Sequence, residues 1–134
     1  MGEVEIKRKV LVVDDDPQIR KILTRMLAPA TYEIRSADDG FAALQTVREW
    51  SPDLVILDIM MPGMSGIEVC RQIREEKPGQ DLQILMLSAK DSQADRRRAL
   101  EYGANDYVSK PFHIASLGRK IQYMFEKEPP VERP

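Results

Sequence analysis

The sequence predicts an α/β protein in which five parallel strands form one sheet, with five helices packed on its two faces. Two observations lead to this prediction. Short apolar runs alternate five times with amphipathic stretches along the 134 residues, and polar residues follow the ends of the apolar runs. Strands and helices in alternation are joined by right-handed crossovers, which place helices on both faces of a parallel sheet. We therefore expect a doubly wound, three-layer sandwich.

Five apolar runs are typical of strands. They cover residues 10–13, 32–37, 54–57, 82–87 and 106–109. The third and fourth runs, LVIL and LQILML, have the composition of strands that are largely buried. We expect these two strands to lie inside the sheet.

Helical periodicity fills the intervals between the strands. The first interval carries apolar residues at i, i+3, i+4, i+7 and i+8, and weaker versions of the same stripe follow later. These apolar positions are Ile19, Ile22, Leu23, Met26 and Leu27, then Leu44 and Val47, then Ile67, Cys70 and Ile73, and finally Leu117, Ile121, Met124 and Phe125. Pro17 suits the first turn of helix one, Gly40 opens helix two, and Gly103 lies where helix four should end.

Composition excludes several classes of protein. One Cys and one His argue against a disulfide framework or a zinc site, and a net charge of -2 argues against a broad nucleic-acid surface. No apolar run reaches transmembrane length. We expect a cytoplasmic protein with no membrane partner. Residues 1–127 are predicted to form one domain, and residues 128–134 a tail or the start of a linker.

Polar side chains follow four of the predicted strands. Asp14 and Asp15 follow strand one, Asp58 strand three, Ser88 strand four and Lys110 strand five. With the flavodoxin-like strand order 2-1-3-4-5, the ligand crevice falls between strands one and three, at their carboxyl ends. The three acids should therefore converge at one edge of the sheet.

Converging carboxylates require a cation or raised pKa values. A cluster of oxygen ligands without Cys or His suits Mg²⁺ or Mn²⁺, with Asp14 and Asp15 as shared metal ligands. Asp58 stands alone at the end of a buried strand and is the predicted phosphoryl acceptor, while Lys110 and Ser88 would stabilise the transferring oxygens. Asp16 follows Asp15 and precedes Pro17, and it is predicted to be the N-cap of helix one.

Four motifs together resemble the receiver domain of two-component response regulators. They are LVVDDDPQIR, LVILDIMMPGMSGIE, ILMLSAK and GANDYVSKPF, and the resemblance extends over residues 9–125. Each motif includes the end of a predicted strand, and their order and spacing make the combination specific.

The resemblance implies that a histidine kinase or a histidine phosphotransfer protein donates a phosphoryl group to Asp58. It adds the backbone carbonyl of Met60 to the magnesium ligands, beside the acids. It also implies that Ser88 moves toward the phosphoryl group while Tyr107 rotates inward, so that the face of helix four, strand five and helix five changes shape. The peptide between Lys110 and Pro111 is expected to be cis.

Further expectations concern lifetime and partners. In receivers, two positions help to orient the attacking water. One is the second residue after the acceptor, and the other is the second residue after the switch hydroxyl. Here these residues are Met60 and Lys90, neither a carboxamide nor an acid, so we expect slow self-dephosphorylation. A homodimer through the changing face is compatible with the resemblance. The domain itself is not expected to bind nucleic acid, nor to act as an enzyme beyond its own phosphorylation and dephosphorylation.

One alternative is a small magnesium-dependent phosphatase of the haloacid-dehalogenase type. Its DxD pattern would make Asp14 the nucleophile and Asp16 the acid and base. The position of Asp16 before Pro17 argues against this alternative. A flavin-binding protein is excluded because three acids occupy the loop that would have to cradle a phosphate.

Overall fold

The computed structural model describes residues 7–27, 29, 31–76 and 81–127. The elements alternate along the chain as β1 (Arg8–Val13), α1 (Pro17–Met26), β2 (Tyr32–Ala37), α2 (Gly40–Trp50), β3 (Leu54–Leu57), α3 (Gly66–Glu76), β4 (Gln83–Ser88), α4 (Gln93–Glu101), β5 (Asp106–Ser109) and α5 (Ile114–Lys127). The predicted tail, residues 128–134, lies outside the described residues.

The sheet has the order β2-β1-β3-β4-β5, and each neighbouring pair is parallel. The predicted architecture and strand order are therefore confirmed. β1 begins before the apolar run because Arg8 pairs with Tyr32 of β2. β4 extends one residue further than predicted because Ser88 pairs with Ser109 of β5. Pairing with a neighbouring strand, rather than hydrophobicity, determines these strand ends.

Side chains that alternate along the strands fill two hydrophobic clusters, one on each face of the sheet. In β1, Leu11 and Val13 join the cluster covered by α2, α3 and α4. Val10 and Val12 join the cluster covered by α1 and α5. The result is the expected three-layer sandwich. Ile22 departs from its predicted stripe, since 39% of it is exposed and it faces solvent.

The helix ends follow the predicted punctuation. Asp16 is the N-cap of α1 and accepts a hydrogen bond of 2.9 Å from the backbone N–H of Gln18, with Pro17 in the first turn. Gly40 begins α2 behind the cap Asp39. Gly103 follows α4 with a φ of 110°, a left-handed conformation that favours glycine.

The end of the sheet where the strands begin, which we call the amino edge, is held together by side chains that donate to backbone carbonyls. Arg74 of α3 donates to the carbonyl oxygens of Gly103 and Leu82 at 2.9 and 2.7 Å, and to Oδ1 of Asn105 at 2.8 Å. In β4, the buried Gln83 donates to the carbonyl of Met124 at 2.7 Å. These contacts tie α3 and α5 to the sheet.

Among the described residues, no helix is long and apolar enough to cross a membrane.

Candidate functional site

Two central strands bring the acids together at the opposite end of the sheet, which we call the carboxyl edge. Val13 and Leu57 are partners in the register of β1 and β3, so the residues that follow them lie side by side. The backbone N–H of Asp58 donates to the carbonyl of Val13 at 3.0 Å. The side chains converge as predicted, and one carboxylate oxygen each from Asp14, Asp15 and Asp58 lies within 4.8 Å of the others.

Two of these carboxylates are buried and the third is exposed. Asp14 is 2% exposed and Asp58 is 5% exposed. Oδ1 of Asp14 accepts a hydrogen bond of 2.9 Å from the N–H of Asp16, and Oδ1 of Asp58 accepts one of 3.2 Å from the N–H of Met60. Asp15 remains open to solvent. The cluster therefore combines desolvated acids with access from outside.

Burial and charge act against each other on Asp14. Desolvation raises its pKa above the ordinary value and is the largest effect, and the neighbouring Asp58 acts in the same direction. The hydrogen bonds from Lys110 and from the backbone of Asp16 lower the pKa but do not cancel the rise. The folded chain thus keeps a carboxylate where its charge is unfavourable.

Lys110 supplies positive charge from β5. Its Nζ lies 2.6 Å from Oδ2 of Asp14 and 3.3 Å from Oδ2 of Asp58. The Lys110–Pro111 peptide is cis, as expected, and the N–H of Lys110 donates to the carbonyl of Ser88 at 2.9 Å. Burial alone would lower the pKa of Lys110, but its contacts with the two acids outweigh burial and raise it.

The charges at this edge do not balance. Among the described residues, three carboxylates form the cluster, the Lys110 ammonium contacts two of them, and all the potential metal ligands are oxygens. Oxygen donors with excess negative charge fit a hard divalent cation such as Mg²⁺ and fit a soft metal poorly. The donor set of the chain therefore agrees with the expected metal.

Ser88 and Tyr107 lie on the neighbouring strands of the same edge. Ser88 is fully buried, and its Oγ accepts a hydrogen bond of 3.3 Å from the N–H of Lys90. Tyr107 is 6% exposed, and its ring lies in the hydrophobic core. Burial raises the pKa of Tyr107, and the nearby Ser88 acts in the opposite direction.

The hydroxyl of Tyr107 is unusual. Within the described part of the chain, it is the buried side-chain polar atom that has no hydrogen-bond partner. A buried hydroxyl without a partner is unfavourable by about 1–3 kcal/mol. The inward position of the Tyr107 ring is therefore opposed by its own polar end.

An open cleft lies next to Asp58. It is lined by Ile59, Met60, Met61, Pro62, Ser65 and Lys90. Met60 is 57% exposed, and Nζ of Lys90 lies 3.9 Å from a carboxylate oxygen of Asp95. Met60 and Lys90, which were named from the sequence, both line this cleft.

Sequence reasoning missed two residues that support the site. Nη1 of Arg20 in α1 donates to the carbonyl of Asp14 at 2.7 Å, which holds the end of β1. Gly66 begins α3 so close to β3 that an added Cβ would lie 2.0 Å from the carbonyl oxygen of Asp58. The second glycine of MPGMSG is visible in the sequence, but its close contact with Asp58 is visible only in the folded loop.

The position of Asp16 argues against the phosphatase alternative. Its carboxylate caps α1 and accepts from Gln18, on the exposed side of the loop. A residue engaged in this way is not free to serve as the acid and base of a DxD pair. The DxD pattern is thus explained by an acid of the carboxylate cluster at Asp14 and a cap at Asp16.

Comparisons with known proteins point in one direction. The model of the response regulator receiver domain family matches residues 10–122. Among curated proteins, response regulator MprA of Mycobacterium sp. (strain KMS) is 42% identical over 126 residues, which is 94% of this chain and 54% of that protein. Response regulator MprA of Mycobacterium leprae is also 42% identical, over 91% of this chain and 53% of that protein. The chain spans about half the length of these relatives.

Solved structures agree with the sequence matches. Chemotaxis protein CheY4 of Vibrio cholerae superposes with a TM-score of 0.83 at 32% identity, covering 89% of this chain and 99% of that one. Response regulator DrrB of Thermotoga maritima, described as an OmpR/PhoB homolog, superposes with a TM-score of 0.82 at 30% identity. That match covers 91% of this chain and 54% of DrrB.

Proposed function

Because the chain belongs to the response regulator receiver domain family, we propose that Asp58 is its phosphoryl acceptor. One observation supports this assignment above all others: the buried carboxylate of Asp58 ends β3 within 3.3 Å of the Lys110 ammonium and beside two further acids. An oxygen of Asp58 attacks phosphorus, the bond from phosphorus to the donor nitrogen breaks, and the donor's histidine leaves. The phosphatase alternative has no support from the family match.

Asp14, Asp15 and Asp58 would hold a Mg²⁺ or Mn²⁺ ion, and the backbone carbonyl of Met60 is proposed as a further ligand. When bound, the ion supplies positive charge near the oxygens of the phosphoryl group. The chain's own contribution is geometric. Asp14 is oriented by its bonds to Asp16 and Lys110, and Asp58 is oriented by the N–H of Met60.

Lys110 and Ser88 complete the proposed chemistry. The Lys110 ammonium, already placed between Asp14 and Asp58, would pair with a phosphoryl oxygen once Asp58 is phosphorylated. The Ser88 hydroxyl would donate to another phosphoryl oxygen. Ser88 and Tyr107 form the proposed switch, in which the face of α4, β5 and α5 responds to phosphorylation.

The proposed partner is a histidine kinase or a histidine phosphotransfer protein, and the face of α4, β5 and α5 is a possible homodimer surface. We propose a cytoplasmic signalling switch that catalyses only its own phosphorylation and dephosphorylation and does not itself bind nucleic acid. Residues 1–127 would form the receiver domain. Since the curated relatives are about twice as long, residues 128–134 are proposed to be a tail or the start of a linker to another domain.

Intact-protein mass spectrometry after incubation with Mg²⁺ and acetyl phosphate tests the acceptor. The wild type should gain one phosphoryl group, and Asp58→Ala should gain none. Asp38→Ala, which removes an exposed acid outside the cluster, is the matched control and should behave like the wild type. Turnover of p-nitrophenyl phosphate that survives loss of Asp58 but needs Asp14 would reject the proposal.

We further propose that Met60 and Lys90 make the phosphoaspartate long-lived. The thioether of Met60 borders the cleft and offers no strong polar group to orient a water molecule. Met60→Asn should therefore shorten the lifetime severalfold, as followed by mass after removal of acetyl phosphate. Met60→Leu, which keeps the site apolar, is the control. An unchanged lifetime in Met60→Asn would disprove this role.

A further inference from the structure

One arginine of α4 contacts two residues of β5. The guanidinium carbon of Arg96 lies 5.0 Å from the centroid of the Tyr107 ring, a cation–π distance. Nη2 of the same side chain donates to Oγ of Ser109 at 2.6 Å. Residues two apart in a strand point to the same side. Arg96 therefore braces one side of β5 at two successive positions.

Arg96 contacts the Tyr107 side chain, and the free energy of the inward position of that side chain has two opposing contributions. Burial of the Tyr107 ring in the core favours the inward position, and the unpartnered hydroxyl disfavours it. When such contributions nearly cancel, a contact of modest energy decides the population. The Arg96 guanidinium provides such a contact at the ring.

The same contact reaches the site through the chain. Ser109, to which Arg96 donates, directly precedes Lys110, whose ammonium contacts Asp14 and Asp58. Ser109 also pairs with Ser88 in the register of β4 and β5. Arg96 is thus connected through one strand to both the ring of Tyr107 and the site lysine.

We propose that Arg96 is a positioning residue that holds Tyr107 in its inward rotamer and so sets the balance between the two states of the switch. This inference rests on the proposed function, in which Tyr107 and Ser88 form that switch. Arg96 touches no reacting atom, and it acts through Tyr107 and Ser109. Loss of its guanidinium should release the ring toward solvent without altering the acids.

Helix α4 offers a matched control. Arg97 follows Arg96 directly, is exposed and carries the same charge. Arg96→Ala and Arg97→Ala therefore remove the same charge from the same helix, and only the first removes the contact with Tyr107. Arg96→Lys keeps the charge but lacks the planar guanidinium, so it should retain part of the contact with Tyr107.

The experiment measures the exposure of Tyr107 in the unphosphorylated protein. Tyrosines are labelled as 3-fluorotyrosine, the Tyr107 ¹⁹F line is assigned with Tyr107→Phe, and its broadening by a soluble gadolinium chelate is recorded. A cation–π contact at a partly exposed site corresponds to a population change of about two- to fivefold. Arg96→Ala should raise the broadening at least about twofold, Arg96→Lys less, and Arg97→Ala not at all.

Two further readouts separate this role from a structural one and from the proposed function. Thermal unfolding midpoints of Arg96→Ala and Arg97→Ala should be similar, while the rate of Asp58 phosphorylation by acetyl phosphate should change only in the first. An unchanged Tyr107 line, or a changed line with an unchanged rate, overturns the inference. Absence of any phosphoryl group on wild-type Asp58 would instead overturn the proposed function, whatever the line shows.

Discussion

The two edges of the sheet treat polar side chains in opposite ways. At the amino edge, Arg74 and Gln83 donate hydrogen bonds to backbone carbonyls, so these polar groups are matched within the protein. At the carboxyl edge, three carboxylates cluster together, and the Lys110 ammonium contacts two of them. The buried hydroxyl of Tyr107 has no partner within the described part of the chain.

The difference separates stability from function. Matched polar groups fix α3 and α5 on the sheet, and their hydrogen bonds are made within the protein. The carboxyl edge keeps excess negative charge and an unpartnered hydroxyl, which cost stability until a ligand or a rearrangement compensates them. Removal of a polar side chain at the amino edge should therefore lower stability, whereas removal of a carboxylate at the carboxyl edge should raise it.

Gly66→Ala should have the largest effect because its added methyl group would clash with the backbone at the carboxyl edge. An added Cβ would meet the carbonyl oxygen of Asp58 at 2.0 Å, and that backbone cannot yield without moving Asp58. We expect the free energy of unfolding to fall by about 3 kcal/mol or more, with loss of Asp58 phosphorylation. Urea unfolding and intact mass measure both.

Gly118→Ala is the control for this substitution. An added Cβ in α5 meets nothing within 4 Å, so the change should stabilise the protein by about 0.5–1 kcal/mol through helix propensity. Normal phosphorylation of Gly66→Ala would show that the close approach of α3 to β3 does not position Asp58.

Arg74→Ala should give the next largest effect, at the amino edge. It leaves the carbonyls of Leu82 and Gly103 without this donor, so we expect about 2–3 kcal/mol of destabilisation. Phosphorylation of the folded protein should stay normal. The control is Arg71→Ala in the same helix, which breaks exposed ion pairs with Glu68 and Glu75 and should cost little. Equal losses for the two variants would contradict the contrast between the edges.

Gln83→Met should produce a smaller loss at the same edge. Methionine has a similar volume but cannot donate to the carbonyl of Met124, so we expect about 1 kcal/mol of destabilisation in urea unfolding. Gln45→Met, on the exposed face of α2, serves as the comparison. If the buried substitution were as neutral as the exposed one, the amino edge would not depend on matched polar groups.

Asp15→Asn should have the smallest effect, and it should have the opposite sign. Removing one of three crowded carboxylates relieves repulsion, so the thermal unfolding midpoint should rise slightly without Mg²⁺, and less at high salt. We expect Mg²⁺ to raise the midpoint of the wild type, and this rise should shrink or vanish in the variant. Asp38→Asn is the control, and a lower midpoint for Asp15→Asn would break the comparison.

Much of this architecture follows from patterns that are local in the chain. The bounds of β2, β3 and β5 are those that the apolar runs predict, because each run coincides with the pairing of its strand. The convergence of Asp14, Asp15 and Asp58 also follows, since the ends of neighbouring parallel strands meet. Asp16 was predictable as a cap because Pro17 restricts its backbone.

Other features depend on distances that no local pattern contains. The exposure of Ile22 follows from how α1 is rotated on the sheet. The apolar residues of the helix cover a wider angle than the part of its surface that the sheet buries. The contact of Arg96 with Tyr107 requires α4 to approach β5, and three consecutive arginines give no sign of which one will do so. The bonds of Arg74 to Gly103 and Asn105 likewise join residues that are 29 and 31 positions apart in the chain.

The pair formed by Lys110 and Asp14 joins residues 96 positions apart. In a parallel sheet, every strand pairing closes a long loop, so contact order is high and the native arrangement forms late compared with a helical bundle. During synthesis the acids of β1 and β3 leave the ribosome long before their lysine does. A growing chain therefore has nearly all of its receiver sequence in place before Lys110 can contact Asp14 and Asp58.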